Sequence, residues 1–479
     1  MARYDNNLIV IGGGSAGLIA AYIAATVRAR VTLIERGAMG GDCLNTGCVP
    51  SKALLASARV AATLRNADRY GIAPVTPDVD FAAVMTRVQS AVARIEPKDS
   101  MARYRSLGVD CVAGAARIVD PHHVAVGDRV LSTRSIVIAT GARPALPPIP
   151  GLDQVHALTS ENVWSLRERP QRLLVLGGGP IGCELAQAFA RLGSRVTLVD
   201  LEPRLLPRED AEVGALVEGS LRTDGVDVRL AHRANRFVPG LNGAGELHAD
   251  SASGATTIAF DRVLVAVGRR AVTEGIGLEA IGVTTTPAGT IAVDDYLRTA
   301  CANVYACGDC VGPYQFTHMA SHQAWYASVN ALFGWARKFR VNYNIVPWAT
   351  YTEPEVARVG LSEEQAQQSG RRFEVTRLGF DDHDRSIADG ATEGFIKVLT
   401  EPGRDRIIGV TIVGQHAGEL LAEYVFAMSN GLGLKALMST IHVYPTLAES
   451  AKLTAGAWRK AHAPQGLLRI AGWLHALRR

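Results

Sequence analysis

Two cysteines, Cys43 and Cys48, sit inside the stretch GGDCLNTGCVPSK, residues 40–52. Thiols this close can share a metal ion, form a static crosslink, or open and close as a redox pair. Zinc would need two further ligands, and the only other close pair, Cys307 and Cys310 in ACGDC, lies in a distant part of the chain. A static disulfide is chemically open to the pair. However, seven cysteines in 479 residues is an odd and sparse set, which suits a reducing, cytoplasmic setting better than a disulfide scaffold. The redox alternative has physical support. After Cys48, VPSKALLASARV reads as a helix with Pro50 in its first turn. A helix N-terminus stabilises a thiolate, and Lys52, one turn on, adds positive charge. Cys43, in the glycine-rich loop, is expected to be the more accessible thiol. Two unequal environments suit asymmetric exchange, in which one thiol attacks and the other resolves.

The elements that must hold these cysteines announce themselves through a repeat. NLIVIGGGSAG and RLLVLGGGPIG are apolar runs that break into glycines. Each leads into an alanine-rich helical stretch and then a second apolar run, RVTLIE ending at Glu35 and RVTLVD ending at Asp200. The acid follows the first glycine by the same interval in both copies, from Gly12 to Glu35 and from Gly177 to Asp200. Two strand–turn–helix–strand units of this kind predict two dinucleotide-binding domains. Gly12 and Gly177 would permit the tight turn. Gly14 and Gly179 would let the backbone approach a pyrophosphate, and Gly17 and Gly182 would let helix and strand pack closely. The helix N-termini then face the phosphates. Glu35 and Asp200 would accept hydrogen bonds from adenosine ribose hydroxyls. A carboxylate there repels a 2′-phosphate, so NADH is expected over NADPH, although Arg204 and Arg208 lie close by in sequence.

The length exceeds what one core supports, so about three compact units are expected. A net charge of +4 gives no reason to invoke nucleic acid. Residues 8–27 are apolar but interrupted by glycines, with no basic leader. They read as strand, turn and helix rather than a signal peptide or membrane span. The proline-rich ARPALPPIPGL leaves the first nucleotide-binding region and AVGRR closes the second. Beyond Pro347, EGFIKVLTE and IIGVTIVG read as antiparallel strands followed by a helix. The fold class is therefore α/β: two Rossmann-like dinucleotide-binding domains and a C-terminal α+β domain.

Along essentially its whole length the chain resembles the flavoprotein disulfide reductases, the group of dihydrolipoamide dehydrogenase, glutathione reductase and mercuric reductase. The resemblance rests on GGGSAG, GGDCLNTGCVPSK, ATG at 139–141, GGGPIGCELA, ACGDC and HVYPTLAES. It implies FAD on the first domain and NAD(P)H on the second. The implied boundaries are 1–150 for the first part of the FAD domain, 151–271 for the NAD(P) domain, 272–345 for the returning part of the FAD domain, and 346–479 for a dimerisation domain with a helical tail. It implies a homodimer. Cys43 matches the interchange thiol, Cys48 the thiol against the flavin, and Lys52 a lysine near the flavin, paired with Glu184 beside the nicotinamide. Asp309 matches the acid on the ribityl chain, followed by Thr317 and His318 in the same segment. Thr140, Gly141, Gly114, Ser15 and Gly268 complete the implied cofactor-binding set. His442 matches an acid–base group supplied by the other subunit, with Glu449 orienting its ring.

Three departures stand out. Asp42 replaces the more usual threonine and calls for a basic neighbour, a metal ion or outward rotation. Cys307 and Cys310 flank Asp309 and are expected as packing thiols rather than a second redox pair. The tail APQGLLRIAGWLHALRR is amphipathic and basic. It could pack on its own dimer, or touch a membrane or a partner. The middle of the chain looks most like the mercuric reductase branch, yet no cysteine follows Cys310 to relay a soft metal. The expected activity is transfer of two electrons between NADH and a small-molecule or protein disulfide, or a dithiol such as dihydrolipoamide, with no resident metal. The alternatives are a metal-ion or quinone reductase, and a non-catalytic NADH-sensing dimer.

Overall fold

The apolar run at the start of the repeat is continuous rather than alternating, as expected of a strand covered on both faces. In the computed structural model of the chain, which describes residues 4–479, Leu8, Ile9 and Val10 of strand Asn6–Ile11 are fully buried. This strand is central. Val31–Glu35 and Arg129–Ile138 pair with it in parallel, with Asp110–Ala113 beyond the first and Val304–Ala306 beyond the second. The early half of Arg129–Ile138 forms an antiparallel ribbon with His123–Val126 and Ala116–Asp120. Leu8 and Val10 face helices Ser15–Thr26 and Thr317–Phe333, whose alanines permit close packing. Ile9 and Ile11 face the opposite side, with Ile118 and Val124. The apolar N-terminal stretch is thus a strand, a turn and a helix.

The second copy builds a four-stranded parallel sheet in the order Asp227–Arg229, Arg195–Val199, Arg172–Leu176, Arg262–Val265. A three-stranded antiparallel sheet (Arg233–Pro239, Gly245–Ser251, Gly254–Phe260) follows, and Ala142–Pro144 pairs with Arg269–Ala271 as a two-stranded ribbon. Both glycine turns meet the same steric limit. Gly12 and Gly177 hold φ of +108° and +114°. A Cβ on Gly17 would lie 1.7 Å from the Gly12 carbonyl oxygen, and one on Gly182 would lie 1.8 Å from that of Gly177. No larger residue can occupy either position without parting helix from strand.

These elements belong to one compact unit, residues up to 65 with 75–203 and 225–342. A second takes residues 66–74, 204–224 and 343–479. Its centre is a five-stranded antiparallel sheet in the order Pro347–Thr350, Glu355–Gly360, Ile407–Gly414, Phe395–Thr400, Glu374–Gly379. Helices Ala417–Ser429 and Glu449–Ala461 bury Leu421, Tyr424, Ala451 and Trp458 against it. The alternating segments and following helix expected beyond Pro347 are therefore present. Among the described residues no helix is long and apolar enough to cross a membrane.

Segment 204–224, which the sequence reading places in the second nucleotide-binding region, is held in this unit by ion pairs. Arg358 Nε lies 2.9 Å from Glu209 Oε2, both side chains almost wholly buried. Lys397 reaches Asp210, Glu212 and Glu363 at 2.7, 2.6 and 3.1 Å, supplying the cation where three carboxylates converge. Trp348 donates to the other Glu209 oxygen at 2.7 Å, and Arg358 stacks over the Trp348 ring. Burial pushes the Glu209 carboxyl upward and Arg358 opposes that shift. We predict that Arg358→Met, which strands a buried carboxylate, destabilises the protein by roughly 3–5 kcal/mol at neutral pH, read from the urea unfolding curve. The loss should shrink as pH falls and Glu209 takes up a proton, whereas a pH-independent loss would point to packing alone.

Candidate functional site

The glycine turn of the first unit carries the cysteine segment directly. Gly40 and Gly41, with φ of +88° and +60°, fold back so that a Cβ on Gly41 would lie 2.6 Å from the Gly14 Cα. Helix Gly41–Asn45 starts there and holds Cys43, and helix Cys48–Arg65 begins at the second cysteine, with Pro50 in its first turn. The thiols are not crosslinked. Cys43 donates to the Cys48 sulfur, the largest of the effects that lower the Cys48 pKa to about 6. The Thr317 hydroxyl and the Lys52 charge add to it, while burial and Asp42 oppose it. The same hydrogen bond, with burial, holds the Cys43 thiol far above its ordinary value. The single proton of the pair therefore rests on Cys43, and Cys48 is the thiolate.

As residues, Cys48 is exposed and Cys43 half-buried, but the surroundings of the two sulfurs run the other way, the Cys48 sulfur being the more deeply enclosed. The hydroxyl of Thr317, first residue of helix Thr317–Phe333, lies 3.4 Å from the Cys48 sulfur. Lys52 Nζ reaches Glu184 Oε2 at 2.7 Å, joining the cysteine helix to helix Pro180–Arg191 of the second repeat.

The nucleotide acids behave alike in both copies. Glu35 accepts from the Gly13 and Gly37 N–H groups at 2.5 and 2.6 Å. Asp200 accepts from Gly178 N–H and, at 2.7 Å, from Glu202 N–H. Each carboxylate is thereby fixed at the edge of its glycine turn. Gly114, with φ of +149°, donates its N–H to the Glu35 carbonyl at 2.8 Å, so it lies beside the same acid. Thr140 bonds the Val272 carbonyl at 2.6 Å, Gly141 accepts the Val272 N–H at 2.9 Å, and the Gly268 carbonyl accepts from Ala145. Ser15 opens helix Ser15–Thr26 directly after its Gly14 cap, and Gly179 caps helix Pro180–Arg191 with nothing within 4 Å of a Cβ. These residues fit FAD on the first turn: close backbone, free helix amides, a fixed carboxylate and the buried acid Asp309.

Sequence reading missed Arg269. Its guanidinium bonds Asp42, lies 3.5 Å from Asp309 and donates to the Ala142 carbonyl at 2.9 Å. It is the basic neighbour that Asp42 required. Burial raises the Asp309 carboxyl to about 6, with Arg269 acting against the shift and Asp42 and Cys48 reinforcing it. The only sequence signal for Arg269 was its place after Gly268 in AVGRR. Cys307 and Cys310 are fully buried in apolar clusters on opposite faces of the first sheet, and burial raises both thiols. They are packing residues.

The pairing of His442 with Glu449 needs correction. His442 Nε2 meets Glu423 at 2.9 Å and Nδ1 meets the Thr440 carbonyl at 3.1 Å. Glu449 instead opens helix Glu449–Ala461. The residues between them carry no regular helix or strand, so the ring turns back to helix Ala417–Ser429 rather than forward. Both ring nitrogens are thus occupied, one by the neighbouring Thr440 carbonyl and one by Glu423 of that helix. Two residues on, Tyr444 is exposed, with its hydroxyl on Asp384 at 2.9 Å.

In the reduced protein, we predict that thiolate absorbance disappears as pH falls through about 6. Removing the donors, by Cys43→Ala or Thr317→Val, should move that transition upward, most in Cys43→Ala because the Cys43 hydrogen bond is the largest effect. An unchanged midpoint in both variants would refute the shared-proton arrangement.

Comparison with known proteins agrees with this architecture. The chain is 37% identical to mercuric reductase of Shigella flexneri, over 95% of this chain and 81% of that protein. It is 35% identical to dihydrolipoyl dehydrogenase of Chlamydia muridarum, over 92% and 94%. The solved HOCl-induced flavoprotein disulfide reductase RclA from Escherichia coli superposes with a TM-score of 0.83 at 28% identity, covering 94% of this chain and 99% of that one. Residues 6–324 match the pyridine nucleotide-disulphide oxidoreductase family, and residues 346–455 match its dimerisation domain. The chain therefore belongs to the pyridine nucleotide-disulphide oxidoreductases, FAD- and pyridine nucleotide-dependent enzymes that act on a sulfur group.

Proposed function

We propose that the protein passes two electrons from NADH to a disulfide through Cys43 and Cys48, and that the same parts can oxidise a dithiol such as dihydrolipoamide. The observation that carries this reading is the uncrosslinked cysteine pair in unequal settings, with Cys48 at the start of helix Cys48–Arg65 beside the Thr317 hydroxyl and one turn from Lys52. Bound FAD would supply the two-electron step between nicotinamide and the cysteine pair. The chain's own residues then do exchange chemistry. Cys43 hands its proton across the hydrogen bond to Cys48 and attacks substrate RS–SR, forming a mixed disulfide and releasing RS⁻, which takes that proton and restores the Cys48 thiolate. The Cys48 thiolate attacks the Cys43 sulfur, re-forms the Cys43–Cys48 disulfide and releases the second RS⁻. With protons added, the balance is NADH + H⁺ + RSSR → NAD⁺ + 2 RSH. The Lys52–Glu184 pair would hold charge beside the bound flavin and nicotinamide. Arg269 keeps Asp42 from facing Asp309 without a cation.

The NADH preference is supported by the fixed Asp200 carboxylate, which would repel a 2′-phosphate. Arg204, a neighbour in sequence that could have accepted such a phosphate, forms a bidentate pair with Glu364 at 2.7 Å. We place FAD on 1–150 and 272–345, NADH on 151–271, and a homodimer interface on 346–479, in a cytoplasmic enzyme. The segment carrying His442 and Tyr444 is our acid–base element, with His442 anchoring it and the exposed Tyr444 hydroxyl, hydrogen-bonded to Asp384, passing the proton.

Anaerobic titration with NADH tests the electron path. A long-wavelength thiolate–flavin band should appear and be absent in Cys48→Ser; no band in the unaltered protein would sink the reading. Cys43→Ser should lose disulfide reduction by about a thousandfold or more, since no mixed disulfide can form. Retained activity would instead indicate direct reduction of a metal ion or quinone, and lipoamide, glutathione disulfide and Hg(II) as substrates would separate these cases. Tyr444→Phe should lower turnover about 10²-fold or more. If His442→Gln alone did so, the proton would pass through the histidine.

A further inference from the structure

Helix Gln465–Leu477 is an unpartnered element in this chain: none of its thirteen residues is buried. Successive residues turn by about 100°, which gathers Leu467, Ile470, Trp473, Leu474 and Leu477 on one arc. All five are exposed, Trp473 at 61% and Leu477 at 64%. Arg469 lies about 40° beyond one edge of this arc, and Arg478, the residue that caps the helix, about 20° beyond the other by the same geometry. The charge is one-sided over a longer stretch. Residues 450–479 contain six Lys and Arg and no Asp or Glu. The match to the dimerisation domain stops at residue 455, before the helix begins.

An occupant of this face must cover a broad apolar arc and offer negative charge at its borders. A second copy of the helix would supply the apolar half, but a twofold contact would bring the two sets of arginines together without a carboxylate. An anionic lipid surface supplies both halves: acyl chains for the arc, phosphates for the arginines, and an interface layer suited to the Trp473 indole. Thirteen residues make about 20 Å of helix, short of a hydrocarbon core of roughly 30 Å, so the helix would lie on a bilayer rather than cross it. We propose that helix Gln465–Leu477 is an interfacial anchor that lays its apolar arc into an anionic lipid surface and holds the reductase at a membrane face.

The test is flotation of the full-length, flavin-loaded protein with phosphatidylglycerol/phosphatidylcholine vesicles and with phosphatidylcholine vesicles alone. Cofloating with the anionic vesicles, released by high salt, is expected. Arg469→Gln should weaken partitioning roughly fivefold. Ile470→Glu with Leu474→Glu should abolish it while flavin content and the far-ultraviolet circular dichroism of the core stay as before. Emission should shift to shorter wavelength on binding, and the shift should vanish in Trp473→Phe. No cofloating, or equal binding to neutral vesicles, would overturn the proposal. Dissociation of the dimer in the double variant would assign the face to a second copy instead, and would overturn it as well.

Discussion

The contact of the Gly17 Cα with the Gly12 carbonyl fixes everything near the cysteines. It forces strand, turn and helix into one geometry and leaves Gly14 as the helix cap, with open backbone. Gly41 then seats against Gly14, so the loop bearing Cys43 starts from the same turn that would cradle a pyrophosphate. The redox pair is therefore positioned by the glycine-to-glycine backbone contact together with the buried Leu44 and Leu54 side chains of its two helices. Such contacts tolerate no added atom, which ties the cysteine loop closely to the glycine turn.

On that frame, electrostatics divides the labour of the sulfurs. A hydrogen bond from Cys43 stabilises the thiolate on Cys48, and Lys52 from the same helix and Thr317 from another strengthen the bias. Asp42 works against both thiols' ionisation, and its pairing with Arg269 confines that effect. Arg269 also faces Asp309, so one guanidinium serves two carboxylates from segments far apart in sequence. The departure at Asp42 is thus matched by a compensating cation.

The second unit illustrates a different principle. Its buried charges are not arranged for chemistry. Glu209 with Arg358, and Lys397 with its three carboxylates, fasten segment 204–224 to the antiparallel sheet. Breaking one partner is costly because the other stays buried and charged, so such networks specify an arrangement more than they add net stability. The His442–Glu423 pair belongs to the same kind of local fastening.

What the sequence determined by itself was everything that depends on neighbours in the chain. The glycine turns, the acids closing each second strand, Cys43 and Cys48, Lys52 at one turn's distance, and the antiparallel character of the last region are set by local sterics and periodicity. These were legible without coordinates. The tertiary structure alone decided which distant side chains meet: Arg269 with Asp42, 227 residues away, Thr317 with Cys48, 269 residues away, and Glu423 rather than Glu449 with His442. It also decided that Cys307 and Cys310 face opposite cores. Local patterns reflect backbone preferences over a few residues, whereas these pairings depend on how sheets and helices stack, and no short-range periodicity encodes that.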